Sequence, residues 1–247
     1  MIVAASPSAV AGLLWFRFAP HQLGSIRTAG VQTSVAVGPA ASSPKGSARP
    51  LRSPAFWFLC GSYLLQGYLG YIFIFWFYLY LVQVRHFVIL KAAGFTVLPW
   101  VATVFAIPAG GVLSDVAVAH WGAAWGRRSV PLVALGAAAI FLVIGARTSS
   151  AIVAASALTV CTVLVLCTEG PFWATMTQFS GERSGVAGGV MNFGSSLGGM
   201  ISPALTPWLA ERIGWSSALS LTAGLAVMAA LLWLGIRVNN PQASDLL

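Results

Sequence analysis

Residues Ser53–Val84 read SPAFWFLCGSYLLQGYLGYIFIFWFYLYLVQV, without one charged side chain. A helix needs about 20 apolar residues to cross a hydrocarbon core ~30 Å thick, so this stretch is long enough to span a bilayer. Its apolar residues do not alternate with polar ones, which argues against a strand of a membrane barrel. Working outward, further runs almost free of charge follow at Ala92–Ser114, Ser129–Ala146, Thr148–Gly181 (interrupted by Glu169), Ser184–Ala210 and Ile213–Ile236. The pattern predicts an all-α membrane protein, a six-helix transmembrane bundle occupying residues 54–238 with short connecting loops.

Composition agrees. Charged residues make up 7% of the chain, against about a quarter in soluble domains, so a soluble surface cannot be built from them. With 58% hydrophobic residues and a mean hydropathy of +0.85, the expected environment is the lipid bilayer. A soluble enzyme, a soluble DNA-binding domain and a disulfide-framed secreted module are excluded. Cys60, Cys161 and Cys167 all lie in apolar runs and read as small buried hydrophobes.

The two ends differ from the bundle. Residues 1–18 are apolar but short, with Pro7 inside, and lack the positive start and clean cleavage site of a signal peptide. They read as a partial helix, the end of a missing N-terminal bundle. Residues 19–53 are rich in Pro, Ser, Ala and Gly, carry Arg27, Lys45, Arg49 and Arg52 without an acid, and read as a flexible linker. Residues 239–247 form a polar tail.

The net charge of +8 is read by position rather than as a nucleic-acid signal, and no nucleic-acid partner is expected. Arg17, Arg27, Lys45, Arg49, Arg52, Arg127, Arg128, Arg183 and Arg237 fall on one side of the predicted spans. Arg85, Lys91, Arg147 and Arg212 fall on the other. The positive-inside tendency then puts the linker and the C-terminus in the cytoplasm, with the bundle multi-pass in a plasma (inner) membrane.

The loop expected after the second span carries Gly110-Gly111-Val112-Leu113-Ser114-Asp115 and then Gly126-Arg127-Arg128. This resembles the G-x-x-x-D…G-R-R signature of the major facilitator superfamily. Glu169-Gly170-Pro171-Phe172-Trp173-Ala174, Gly188-Gly189-Val190-Met191-Asn192, Leu197-Gly198-Gly199 and Ser202-Pro203 are similar to the anion:cation symporter branch. So is Trp76-Phe77-Tyr78-Leu79-Tyr80-Leu81 in the first span. Tyr78, Val116, Ser195 and Ser196 depart from that branch's pattern. The resemblance covers the second half of the family's fold and implies secondary active transport of a small organic anion, sugar acids among the candidates, coupled to a proton or sodium. It implies a missing or separate N-terminal six-helix half as partner; no cofactor and no metal are expected. Its conformational motif falls on Gly111, Asp115, Gly126, Arg127 and Arg128. There the functional reading is a charge clasp, and the plain one is topology.

Glu169 is the one ionisable residue well inside a span, and a carboxylate in hydrocarbon is costly unless it faces a cavity or a partner. Counted from Ala151 it lies about 27 Å along the helix; the alternative is a side chain that snorkels to water. Asn192, eight residues into the antiparallel next span, reaches a similar depth, so amide and carboxylate can satisfy each other. The resemblance implies a substrate contact at both. Trp173 either stacks on substrate or packs in the core. Gln66 and Tyr71 lie near mid-depth of the first span, Tyr71 on the face it shares with Tyr68. Together Glu169, Asn192, Trp173, Gln66 and Tyr71 form the expected substrate site. The Gly170-Pro171 pair predicts a kink.

An intramembrane enzyme is not expected. His21, His86 and His120 lie outside the spans, and no intramembrane Asp pair or metal-ligand spacing exists. A phosphate loop is likewise missing. The alternative to transport is a non-transporting membrane fragment or an assembly subunit.

Overall fold

A computed structural model describes residues 50–236, all within one compact unit, Ser43–Leu247. The expected partial helix at 1–18, residues 19–49 of the linker expected at 19–53, and the polar tail lie outside the described residues. Every regular element described is helical. Helix α1 is Pro54–Leu79, α2 is Ile89–Arg147, α3 is Ala151–Cys167, α4 is Glu169–Ser180, α5 is Ser184–Ile213 and α6 is Trp215–Leu232. Four stretches are long and apolar enough to cross a membrane: Pro54–Val84, Ile89–Arg147, Ala151–Ser180 and Trp215–Gly235.

A short 3-10 turn, Pro50–Arg52, precedes α1. Ser53 is extended, and Pro54 occupies the first turn of α1, where a missing N–H costs no helical bond. At its other end α1 runs into a single π turn, Tyr80–Val84. Arg85 closes that turn. It donates to the Tyr80 hydroxyl at 2.8 Å, to the Thr148 carbonyl at 2.7 Å and to the Gly145 carbonyl at 2.8 Å. The guanidinium thereby caps the last turn of α2, whose carbonyls have no helical donors.

Helix α2 corrects one expectation. Its 59 residues would make a rod about 88 Å long, far beyond a bilayer core. The chain reverses not through a loop but at one residue, Gly122, with φ 77° and ψ 166°. Asp115, Gly126, Arg127 and Arg128, expected in a loop, therefore lie on helix on either side of that residue. Charges interrupt hydropathy without interrupting helical hydrogen bonding, so a charged segment of helix looks like a loop in sequence. The two arms close tightly: a Cβ on Gly126 would collide with the backbone of Val118.

Helix α1 packs along α5 and against α6, while α2 packs against α3, α4 and α6. Phe56, Leu59, Leu69, Leu135, Leu142, Leu158 and Trp233 are fully or almost fully buried among these helices. Lipid tails are as apolar as these side chains, so close packing rather than water exclusion must hold the helices together. The α1–α5 crossing is built for that. A Cβ on Gly198 would strike the Leu64 carbonyl, and one on Gly67 would strike Ser195. Tyr68 Oη and Thr206 Oγ1 share a hydrogen bond of 2.8 Å beside it, and Ser62 donates to the Ala229 carbonyl of α6 at 2.8 Å.

Gly198→Ala should force these two backbones apart. We expect a loss of about 1–3 kcal/mol, the usual range for overpacking, read as a lower melting midpoint of the purified protein. Gly224→Ala on α6, where a Cβ would meet nothing, should melt at or above the parent. Equal midpoints for the two variants would refute a close-packed crossing.

Candidate functional site

The site begins with a backbone break. Pro171 has no N–H to return to the Cys167 carbonyl four residues earlier, and α3 ends at Cys167. Thr168 turns the corner, its N–H and its hydroxyl both directed to the Val165 carbonyl at 3.3 and 2.6 Å. Helix α4 restarts with the Phe172 N–H on the Thr168 carbonyl at 3.1 Å. The kink expected at Gly170-Pro171 is thus a break three residues before the proline. Neighbouring α2 supplies room for it: a Cβ on Gly110 would collide with the Cys167 carbonyl, and one on Gly170 would lie 3.0 Å from the Gly111 Cα.

Glu169 is the first residue of α4, in the turn where free N–H groups favour a negative charge. Both carboxylate oxygens are engaged from α1. Tyr63 Oη donates to Oε2 at 2.9 Å, and Gln66 Nε2 donates to Oε1 at 2.9 Å. Tyr63 and Gln66 stand three residues apart and so share one face of α1. They are 4% and 2% exposed, whereas Glu169 is half-buried. The Tyr63 ring packs on Phe172 at 4.8 Å and meets Trp173 edge-on at 6.3 Å; Phe172 packs in turn on the buried Trp233 at 4.9 Å.

The structure brings together Glu169, Gln66 and Trp173 of the expected site. Trp173 is 39% exposed, with Gly188 of α5 against its ring. Tyr71 lies against Gly199 of α5 and stacks with Phe75 at 6.1 Å. Asn192 differs from expectation. Its side chain is exposed and bonds to no described residue, and its carbonyl accepts from Ser196 at 3.0 Å. The amide that meets Glu169 belongs to Gln66 instead. Similar depth on adjacent helices does not fix which face each helix turns to its neighbour, and α5 turns Met191 and Gly198 inward.

Sequence reading passed over Tyr63. The signal that points to it is its position one turn before Gln66, the polar residue already singled out. A cavity of about 680 Å³ lies elsewhere, lined by Arg147, Ser216, Ser217 and Ser220, and holds none of these residues.

The charged motif forms two ties of different kinds. Arg127 pairs with Asp115 across the α2 bend at 2.6 Å and also donates to Ser114 at 3.2 Å. Asp115 is 69% exposed there. Arg128 is buried, donates to the Ile236 carbonyl beyond α6 and lies over the Trp125 ring. Gly111 faces the α3–α4 break, and Gly126 permits the close approach of the two α2 arms.

Chemically, the arrangement offers a carboxylate inside an apolar bundle, with two neutral donors fixed on it and an exposed indole one turn away. Such a group can exchange a proton or a hydrogen bond with a small polar ligand. A family model described as Major Facilitator Superfamily matches residues 1–203 and 116–246. The chain is 26% identical to the hexuronate transporter of Bacillus subtilis over 230 residues, which is 89% of this chain and 53% of that protein. It is 32% identical to a probable sulfoacetate transporter of Cupriavidus necator over 149 residues, 60% of this chain and 35% of the relative. It is 38% identical to the galacturonate transporter of Dickeya chrysanthemi over 61 residues, 25% of this chain and 18% of the relative. The chain thus spans about half the length of the first of these and about a third of the second.

The two arginine ties should differ in worth. Arg128→Ala removes a charged donor from a buried carbonyl and should cost roughly 1.5–3 kcal/mol. Asp115→Asn removes the charge from an acid that is itself exposed and keeps an oxygen that can accept from the largely buried Arg127, and should cost about 1 kcal/mol or less. Melting midpoints in detergent check the order, and a larger fall for Asp115→Asn would reverse it.

Proposed function

This chain belongs to the major facilitator superfamily, and we propose that it works in secondary active transport of a small organic anion, coupled to a cation. The family and the relatives it matches are transporters rather than enzymes. The relatives' names give a hexuronate, a sulfoacetate and a galacturonate as their cargo, which supports an organic anion here, a sugar acid first among the candidates. The observation that carries the reading is the Glu169 carboxylate, set at a helix break and held by Tyr63 and Gln66.

In this proposal the two arms of α2 are separate crossings, α3 and α4 form one broken crossing, and α1, α5 and α6 complete six. Three helices then repeat as three with inverted topology, as in transporters built from such repeats. Glu169, Gln66, Trp173, Tyr71 and Asn192 form one wall of the substrate cavity, Asn192 through the open side of α5. A matching six-helix half supplies the other wall. The Arg127–Asp115 pair is a clasp that favours one state of the bundle.

Uptake into proteoliposomes tests the reading, with this full chain alone and with it co-expressed beside the N-terminal half of the Bacillus hexuronate transporter. We expect galacturonate uptake driven by an inward proton gradient in the combined preparation. Glu169→Gln, which keeps size and removes titration, should abolish the dependence on the gradient. Uptake of no organic anion in either preparation would replace transport with the role of an assembly subunit.

Orientation has its own test. With the linker and tail cytoplasmic, Ser244→Cys should react with a membrane-impermeant maleimide only after permeabilisation. Labelling of intact cells would invert the topology.

A further inference from the structure

The two partners of Glu169 have unlike chemistry. Gln66 Nε2 can only donate a hydrogen bond, whereas a phenol oxygen can donate or accept. An ionised carboxylate accepts from both, which matches the geometry described. A protonated carboxyl carries one O–H and needs an acceptor for it. Gln66 Nε2 cannot be that acceptor. Tyr63 Oη can, once its own hydrogen rotates about the Cζ–Oη bond. The proton then sits on Oε2, Gln66 continues to donate to Oε1, and no heavy atom has to move.

The surroundings leave the phenol little other freedom. Its ring is wedged against Phe172, edge-on to Trp173, and backed through Phe172 by the fully buried Trp233. The oxygen is held in place while its hydrogen can turn. Among the described residues, no second charge comes into hydrogen-bond contact with Glu169. Helix α1 offers Tyr63, with Cys60 at Gly194, Tyr68 on Thr206 and Tyr71 on Gly199. Helix α3 offers Cys161 and Cys167. The charges of α2 lie at its ends and around Gly122, with Asp115 on Arg127 and Arg128 on Ile236, and Glu211 and Arg212 lie in the last turn of α5.

We propose that Tyr63 is a positioning residue that keeps the Glu169 carboxyl in one orientation across both of its protonation states, by exchanging a donor role for an acceptor role. The positioning role stands on the geometry alone; the share in coupling that it assigns to α1 rests on the proposed function, with the proton as its cation. It also explains the pairing of a phenol with an amide. Two ammonium groups would hold only the ionised form, an amide would have to turn its end over to accept, and two aliphatic side chains would hold neither.

Infrared difference spectroscopy of the full chain in lipid, followed across a pH titration, tests this directly. Glu169 is identified by the carboxyl band lost in Glu169→Gln, and Tyr63 by the phenol C–O band lost in Tyr63→Phe. We expect the phenol band to shift in step with the carboxyl band, in the direction from donor to acceptor, and to stop shifting in Glu169→Gln. In Tyr63→Phe the carboxyl band should move to higher frequency, since a hydrogen-bond partner is gone. A phenol band that stays fixed while Glu169 titrates, or a carboxyl band unmoved by Tyr63→Phe, overturns the inference and leaves transport standing. Gradient-independent uptake with the phenol still tracking the carboxyl overturns the coupling reading and leaves the positioning role intact.

Discussion

Pro171 offers no N–H to the Cys167 carbonyl, and the geometry of the polar centre follows from that missing donor. In a continuous helix Glu169 would stand in mid-helix, away from any terminus and its free N–H groups. The break ends α3 and sets Glu169 in the first turn of α4, where the helix dipole favours its charge, with its oxygens turned to α1. It also demands a neighbour that can approach the bare backbone of the joint. Gly110 and Gly111 make α2 that neighbour. The same sequence pair that carries the signature resemblance thus has a packing role facing the site, separate from the charged residues that follow it.

The rest of the bundle obeys the same logic of close approach. Hydrophobic burial discriminates little between a helix and a lipid tail, so register must come from shape and from hydrogen bonds. At the α1–α5 crossing, missing Cβ atoms set the distance, and Tyr68 with Thr206 sets the register. At the ends, arginines take over. Arg85 and Arg128 each donate to backbone carbonyls at a helix end, where acceptors outnumber donors.

Much of this was legible in the residues. Charge-free runs located α1, α3 with α4, and α6 to within a few residues, because hydrocarbon tolerates so little charge. Gly170-Pro171 announced the break, since a proline removes a particular donor whatever surrounds it. Glu169, Gln66 and Trp173 stood out as polar or amphipathic groups where lipid alone is a poor solvent. What stayed hidden was rotation. Spacing along a helix gives faces but not which face meets which neighbour, so Asn192 was matched to Glu169 by depth when Gln66 was the partner. Tyr63 was hidden for a related reason: in an aromatic-rich helix its one signal is its place a turn before Gln66, which does not say that its hydroxyl meets a carboxylate. The segment around Asp115 and Arg127 misled in the opposite way. Its charges look like a loop, yet helical hydrogen bonding is indifferent to them and yields only at Gly122.

Helix α5 is long, 30 residues, yet it is not among the stretches apolar enough to cross a membrane by composition. Glycine and serine make it thin where it meets α1, and thinness costs affinity for lipid. Its insertion during synthesis therefore cannot rest on partitioning alone, as that of α1 can. The groove along Leu64, Gly67 and Tyr68 has to receive it. The order of biogenesis follows: α1 is the earlier, self-sufficient guest of the bilayer, and α5 enters on a template that α1 has already laid down. A side chain that blocks the groove would then keep α5 from entering at all.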